Sequence, residues 1–186
     1  MALPEMTSPA PTHWVFGYGS LMWNPGFAHV SSQLALLHGA HRGLSVYSHD
    51  HRGTPQQPGL VFGLSRGGAC RGMAFEVLDA DWAGVRAYLL VREKGNGIYR
   101  EALRPVRLDD GRVVDALSFV VDERHAQYAR DLSLEQQVLI VRSATGESGS
   151  NVDYVLQTAR RLRQLGIRDR QIMALAALLE GAASSA

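Results

Sequence analysis

Two segments of this 186-residue chain combine side chains that can hold or move charge. The first runs Trp14-Val15-Phe16-Gly17-Tyr18-Gly19-Ser20-Leu21-Met22-Trp23-Asn24-Pro25-Gly26-Phe27. A short β-branched and aromatic run enters a turn built on Gly17 and Gly19. Glycine at alternate positions frees the backbone and lets a ligand approach the amides closely. Successive amides in such a turn form a nest for a carboxylate or an oxyanion. A plain strand ending in a glycine-rich turn fits the same residues. Spacing excludes the phosphate loops: a dinucleotide fingerprint needs a third glycine where Met22 stands, and a P-loop needs Gly-Lys-Ser/Thr. The second segment centres on Glu93, which follows Tyr88-Leu89-Leu90-Val91 and precedes Gly95-Asn96-Gly97. A carboxylate where an apolar helix end meets a glycine turn loses water, and its pKa rises toward the range of a general base. A solvated ion pair within Arg92-Glu93-Lys94 is the other reading these residues allow.

Other clusters promise less chemistry. His49-Asp50-His51, with His38 and His41 upstream, lacks the spacing and distal ligand of a metal site. Cys70 is the single cysteine, which excludes an intrachain disulfide and fits a buried structural thiol in a reducing compartment. Gly19-Ser20-Leu21 lacks the Gly-x-Ser-x-Gly elbow of a serine nucleophile. Arg160, Arg161, Arg163, Arg168 and Arg170 read as a solvated helical face, since the formal net charge is only +1.

The elements that must position these residues follow from pattern. An apolar content of 46% suits one domain with a full-sized core. Met1 to Thr12, with three prolines, reads as a loose tail without the features of a signal peptide. Residues 182–186 form a second tail, so the expected domain is 13–181. Strand signals cover Val15-Phe16, Leu34 to Tyr47, Leu60 to Leu64 and Met73 to Leu78, and His49 to Gly59 must be a loop. Asp79 heads a helix to about Leu90, with Trp82, Val85 and Leu89 on one face. A hairpin joins Arg100–Leu108 to Arg112–Val121 across Asp109-Asp110-Gly111. Ser133 and Gln136 make a capping box before Leu134–Ala144, Ser150 starts a helix stopped by Gly166, and Asp169 caps another carrying Ile172, Leu175, Leu178 and Leu179. Strands first and helices after predict an α+β domain with a mainly antiparallel sheet and a helical C-terminal third. No apolar run approaches the ~20 residues of a membrane span, and a cytoplasmic protein is expected.

Phe16-Gly17-Tyr18-Gly19-Ser20-Leu21-Met22-Trp23 resembles the signature of the ChaC-type γ-glutamylcyclotransferases. Three further segments resemble that family in order: His51-Arg52-Gly53-Thr54-Pro55-Gln56-Gln57-Pro58-Gly59, Arg92-Glu93-Lys94 with Gly97-Ile98-Tyr99, and Gly146 through Tyr154. The resemblance spans Trp14 to Leu179. The Glu-x-x-x-Gly-x-Tyr spacing after Glu93 is similar to the bacterial branch and longer than the Lys-Gly-Gly-Tyr form of animal relatives. The resemblance implies a small β-barrel flanked by helices and cleavage of glutathione to 5-oxoproline and Cys-Gly, with no metal or cofactor. Glu93 falls on the catalytic glutamate. Tyr18, Gly19, Ser20 and Leu21 would cradle the γ-glutamyl group, Tyr154 would donate a hydroxyl to it, Arg52 would pair with a substrate carboxylate, and Tyr99 would line the pocket. The expected partner is thus a small molecule, with neither nucleic acid nor membrane. Alternatives are a cyclotransferase for other γ-glutamyl amines or amino acids, a non-catalytic γ-glutamyl-binding module, and a Ser or Cys hydrolase releasing glutamate.

Overall fold

The computed structural model describes residues 10–93 and 97–181. Five strands close a barrel: β1 (Thr12–Gly17), β2 (Ser31–Ser48), β3 (Gly59–Leu78), β4 (Tyr99–Leu108) and β5 (Val113–Val121), in the order β1-β3-β2-β4-β5. All neighbours are antiparallel except β1 and β5, which meet in parallel at Trp14–Ala116 and Val15–Leu117. The α+β expectation holds, and β4 and β5 form the expected hairpin. The two short strands expected at Leu60–Leu64 and Met73–Leu78 are instead halves of one long β3. It pairs with β2 almost throughout, with register shifts at His38/Ala40 and Leu44/Val46. Gly67 and Gly68, both at positive φ, let the strand bend there without ending. Thr12 already pairs with Leu78, so the barrel begins one residue before the expected boundary; the rest of the expected tails, but for Ala10 and Pro11, lies outside the described residues.

Alternation sorts β1 between two cores. Trp14 and Phe16 point into the barrel with Leu37, Leu64, Val106 and Ala116. Val15, between them, faces outward with Phe75, Val77 and Leu117 against Val85 and Leu89 of α1 (Asp79–Glu93). The second helical layer is α2 (Leu134–Ser143), α3 (Asn151–Gln164) and α4 (Arg170–Gly181). Its buried stripe (Val141, Val155, Leu162, Leu175) covers Leu60 and Phe62 of β3. The capping box at Ser133 is formed, Ser150 caps α3, and the Asp169 carboxylate accepts from the Ile172 amide at 3.2 Å at the start of α4. Leu178 is exposed, so its place in the expected apolar stripe falls to Ala176. A two-residue hairpin, β6 (Thr145–Gly146) with β7 (Gly149–Ser150), delivers the chain into α3.

These connections gather the ends that matter. The end of β1, the end of α1, the start of β4, the loop between β2 and β3, and the start of α3 all border one cavity.

Candidate active site

The turn after β1 is a single 3₁₀ turn, Ser20–Met22. A side chain at Gly17 would stand 2.9 Å from the Leu21 Cβ, so glycine there is a packing requirement. Gly19 has open space where a side chain would be, and neither glycine has positive φ. Gly19 nonetheless stands at φ −126° and ψ −132°, outside the regions other residues favour, so the turn uses backbone freedom at Gly19 and close packing at Gly17. The amides of Met22, Trp23 and Asn24 are bonded inside the turn. Those of Ser20 and Leu21 have no hydrogen-bond partner among the described residues. The Tyr18 and Leu21 side chains are buried in the two cores, so the turn offers the cavity its backbone and the Ser20 hydroxyl.

The cavity has a volume of about 590 Å³ and is lined by Ser20, Arg52, Glu93, Tyr99 and Tyr154 together. Residues far apart in sequence are thus brought to one place, with Trp23 and Gln157 on its wall. Glu93 is the last residue of α1, with its side chain 18% exposed. Burial pushes its carboxyl pKa up, and the Arg92 guanidinium, 3.6 Å away, partly opposes the shift. Of the apolar helix end expected to exclude water, Leu89 is fully buried and Leu90 packs beside it, whereas Val91 is 83% exposed. Lys94, Gly95 and Asn96 lie outside the described residues.

Three tyrosines surround this carboxyl, and burial holds each hydroxyl neutral. Tyr18 and Tyr99 are pushed well above the usual phenol range, chiefly by burial. Tyr154 is pushed up to about 12, again chiefly by burial. Phe62 separates the roles of two of them. The Tyr99 hydroxyl donates to the Phe62 carbonyl at 3.0 Å, so its proton is committed. The Phe62 amide donates to the Tyr154 hydroxyl at 3.2 Å, which leaves the Tyr154 proton free to be donated.

Arg52 sits on the face of Tyr154, its guanidinium carbon 5.0 Å from the ring centre. One of its nitrogens donates to the Ser148 and Ser150 carbonyls, at 2.6 and 3.4 Å. The loop carrying it is packed backbone against backbone: a Cβ at Gly53 would lie 2.1 Å from the Gly59 amide, and one at Gly146 would lie 2.2 Å from the Asp50 carbonyl. Thus Gly53, Gly59 and Gly146 are needed for close approach.

Three residues missed by the sequence reading hold this arrangement. Arg92 donates to the Asn24 and Pro25 carbonyls at 2.8 and 3.1 Å and to the Ser20 Oγ at 3.0 Å, tying the end of α1 to the turn. Buried Arg42 donates to the Tyr18 and Arg71 carbonyls and pairs with Asp169 at 3.0 Å. Buried Asn151 both accepts from the Leu60 amide and donates to the Leu60 carbonyl at 2.7 Å, fixing α3, and Tyr154 one turn on, to the start of β3. Arg92 and Asn151 lie inside segments that carry the resemblance, whereas Arg42, between His41 and Gly43, has no local mark in the sequence. Cys70 is buried with its thiol pKa raised by burial, as expected of a structural thiol. Among the described residues, no group of His, Cys, Asp or Glu is placed to hold a metal ion, and no helix is long and apolar enough to cross a membrane.

A small five-stranded barrel whose cavity joins a desolvated carboxyl to the Ser20 hydroxyl, Tyr99 and Tyr154 suits acyl chemistry on a small molecule. The sequence matches the ChaC-like protein family over residues 13–182, and the chain belongs to that family. It is 35% identical over 156 residues to the glutathione-specific γ-glutamylcyclotransferase of Escherichia coli (strain K12), covering 84% of this chain and 68% of that one. The glutathione-specific γ-glutamylcyclotransferase of Schizosaccharomyces pombe is 32% identical over 184 residues, covering 89% and 90%. The crystal structure of a γ-glutamyl cyclotransferase specific to glutathione from yeast has the same fold, with a TM-score of 0.83 at 22% identity over 91% of this chain and 96% of that one.

Proposed function

We propose that this protein cleaves glutathione by γ-glutamyl cyclotransfer, with Glu93 as the proton carrier. The α-amine of the γ-glutamyl group attacks its own γ-carbonyl carbon. A new C–N bond closes a five-membered ring, the C–N bond to the cysteinyl nitrogen breaks, and 5-oxoproline and Cys-Gly depart. No atom is gained or lost. Proximity is supplied by the substrate, since oriented intramolecular reactions reach effective molarities of ~10⁵ M or more. Proton movement is left for the protein. Glu93 takes a proton from the α-ammonium and returns it to the leaving nitrogen, a double role suited to a carboxyl whose pKa burial has raised. The free amides of Ser20 and Leu21 receive the oxyanion or the α-carboxylate, and the Tyr154 hydroxyl donates beside them. The nitrogens of Arg52 not bonded to the Ser148 and Ser150 carbonyls are left for the carboxylate at the glycine end.

The observation that carries this reading is the buried Glu93 carboxyl sharing one cavity with Ser20, Arg52 and Tyr154. A cytoplasmic location belongs to the same proposal. The test is incubation with glutathione and, separately, with γ-glutamyl-alanine, following 5-oxoproline by mass spectrometry beside Glu93→Gln. Product from glutathione alone, absent in the variant, is the expected result. Equal turnover of γ-glutamyl-alanine widens the substrate class. Free glutamate in place of 5-oxoproline means hydrolysis, and thermal stabilisation by glutathione without product means a binding module.

A further inference from the structure

A second cavity, of about 500 Å³, opens on the side of the barrel. Its position follows from a short seam of the barrel. Strands β2 and β4 pair only at Ala35–Leu37 with Val106–Leu108, and beyond those residues they part. The segment after β5 fills one end of the gap, where the Ala129 amide donates to the Ser45 carbonyl at 2.9 Å and Tyr128 bridges to Val46. A groove is left over the rest.

Its lining is unlike that of the candidate active site. Arg66 comes from β3, Arg100 and Arg104 from β4, and Arg124 and Arg130 from the segment after β5. Arg100 and Arg104 are four residues apart on a strand, so both project to the same side. Against these five guanidinium groups stand the carboxylates of Asp122 and Glu123, leaving the groove a formal charge of +3. Asp122 is already ion-paired with Arg100 and accepts from the Arg124 amide at 3.1 Å. Glu123 accepts from the Arg66 amide at 2.9 Å. Arg130 donates to the Glu123 carbonyl and lies over the Tyr128 ring. Among the described residues, the guanidinium groups of Arg66, Arg104 and Arg124 have no hydrogen-bond or ion-pair partner, although all three line one concavity. Like charges gathered in a groove repel, and a bound anion removes that repulsion. Guanidinium forks match phosphate oxygens two at a time.

We propose that this groove binds a small molecule carrying two or more phosphate groups. The volume suits a compact ligand, within the roughly 300–1,000 Å³ of small-molecule sites. The excess of three positive charges asks for several negative charges in that space, which a polyphosphate carries and a single carboxylate does not. A nucleic acid would need a basic stripe running past the groove, and the chain as a whole carries only +1. The groove is separate from the candidate active site, the two divided by the packed side chains of Val46, Ile98 and Val121.

The experiment is thermal unfolding and titration calorimetry of the full chain with tripolyphosphate, beside sulfate at equal ionic strength. The comparison protein is Arg66→Ala/Arg104→Ala/Arg124→Ala, whose exposed positions leave the barrel and glutathione turnover intact. Tripolyphosphate is expected to raise the wild-type melting temperature by about 5–10 °C at ~100 times its dissociation constant. Sulfate should do much less, and the triple variant should lose the response while keeping its turnover. No shift in the wild type, an equal shift in the triple variant, or a response to a DNA duplex without one to tripolyphosphate would overturn the assignment.

Discussion

Two carboxylates of nearly equal exposure, Glu93 at 18% and Asp169 at 17%, sit beside arginines at different corners of the barrel, and they do opposite things. Asp169 caps α4 and meets Arg42 at 3.0 Å, and that arginine holds the Tyr18 and Arg71 carbonyls with its other nitrogens. Every group at that corner has a partner, and it ties α4 to β2 and to the start of the glycine turn. Glu93 meets Arg92 only at 3.6 Å, and the hydrogen bonds of Arg92 go to Asn24, Pro25, Ser20 and Tyr88. Its carboxyl is therefore desolvated without being fully compensated, and its pKa rises. Whether an arginine's donors reach the carboxylate or are used elsewhere separates a structural acid from a reactive one.

Removing each carboxylate's role should break the comparison in opposite directions. Glu93→Gln should lower turnover by about 10²- to 10⁴-fold or more, the usual weight of a general acid–base group. It should not destabilise the fold at neutral pH. A glutamate whose folded pKa lies above its unfolded value of about 4.3 favours folding below that value, and this advantage is lost as pH rises through the folded pKa. Melting curves should thus show Glu93→Gln equal to or more stable than wild type at pH 7.5, the gap closing as pH falls below about 4. A large loss of stability at pH 7.5 would contradict the desolvated carboxyl. Arg42→Met should do the reverse. Breaking a buried pair typically costs about 3–5 kcal/mol, and the lower end applies here because Asp169 keeps some solvent. Urea unfolding should report that loss.

Arg92 sharpens the comparison, because it opposes the burial of Glu93 and also holds the turn. Arg92→Met should lower kcat/KM by about 10- to 100-fold through misplacement of the turn. It should also shift the acidic limb of the kcat/KM profile to higher pH, since the cation that lowers the Glu93 pKa is gone. Arg92→Lys should restore the limb more than the rate, because a single ammonium keeps the charge but cannot reach Asn24, Pro25 and Ser20 together. A limb that stays in place in Arg92→Met would assign the raised pKa to burial alone.

Much of this was legible in the sequence. Local chemistry announced the β4–β5 hairpin at Asp109-Asp110-Gly111 and the capping box at Ser133, because turns and caps depend on neighbours in the chain. Of the residues the resemblance singled out, Ser20, Arg52, Glu93, Tyr99 and Tyr154 line one cavity, whereas Tyr18, Gly19 and Leu21 are not part of its lining. What could not be read was set by contacts between distant residues. The single long β3 depends on its pairing with β2, which lets Gly67 and Gly68 bend the strand where local signals suggested an end. Arg42, Arg92 and Asn151 bond backbone groups 24 to 91 residues away, and no local pattern encodes such partners.

Tyr99 and Tyr154 give the smallest and most discriminating test, since both bond Phe62 and differ in where the proton goes. Tyr99→Phe removes a donor from the Phe62 carbonyl and should cost about 1 kcal/mol of stability, with turnover changed little. Tyr154→Phe removes an acceptor from the Phe62 amide, at a similar structural cost, but also removes a hydroxyl proton free to meet substrate. Its kcat/KM for glutathione should fall about 10-fold, in keeping with a neutral hydrogen bond of roughly 0.5–1.5 kcal/mol. Equal kinetic losses in the two variants would mean that Phe62, and with it the wall of the cavity, is the common cause. A loss confined to Tyr154→Phe would show that the direction of one backbone hydrogen bond sets which tyrosine faces substrate chemistry.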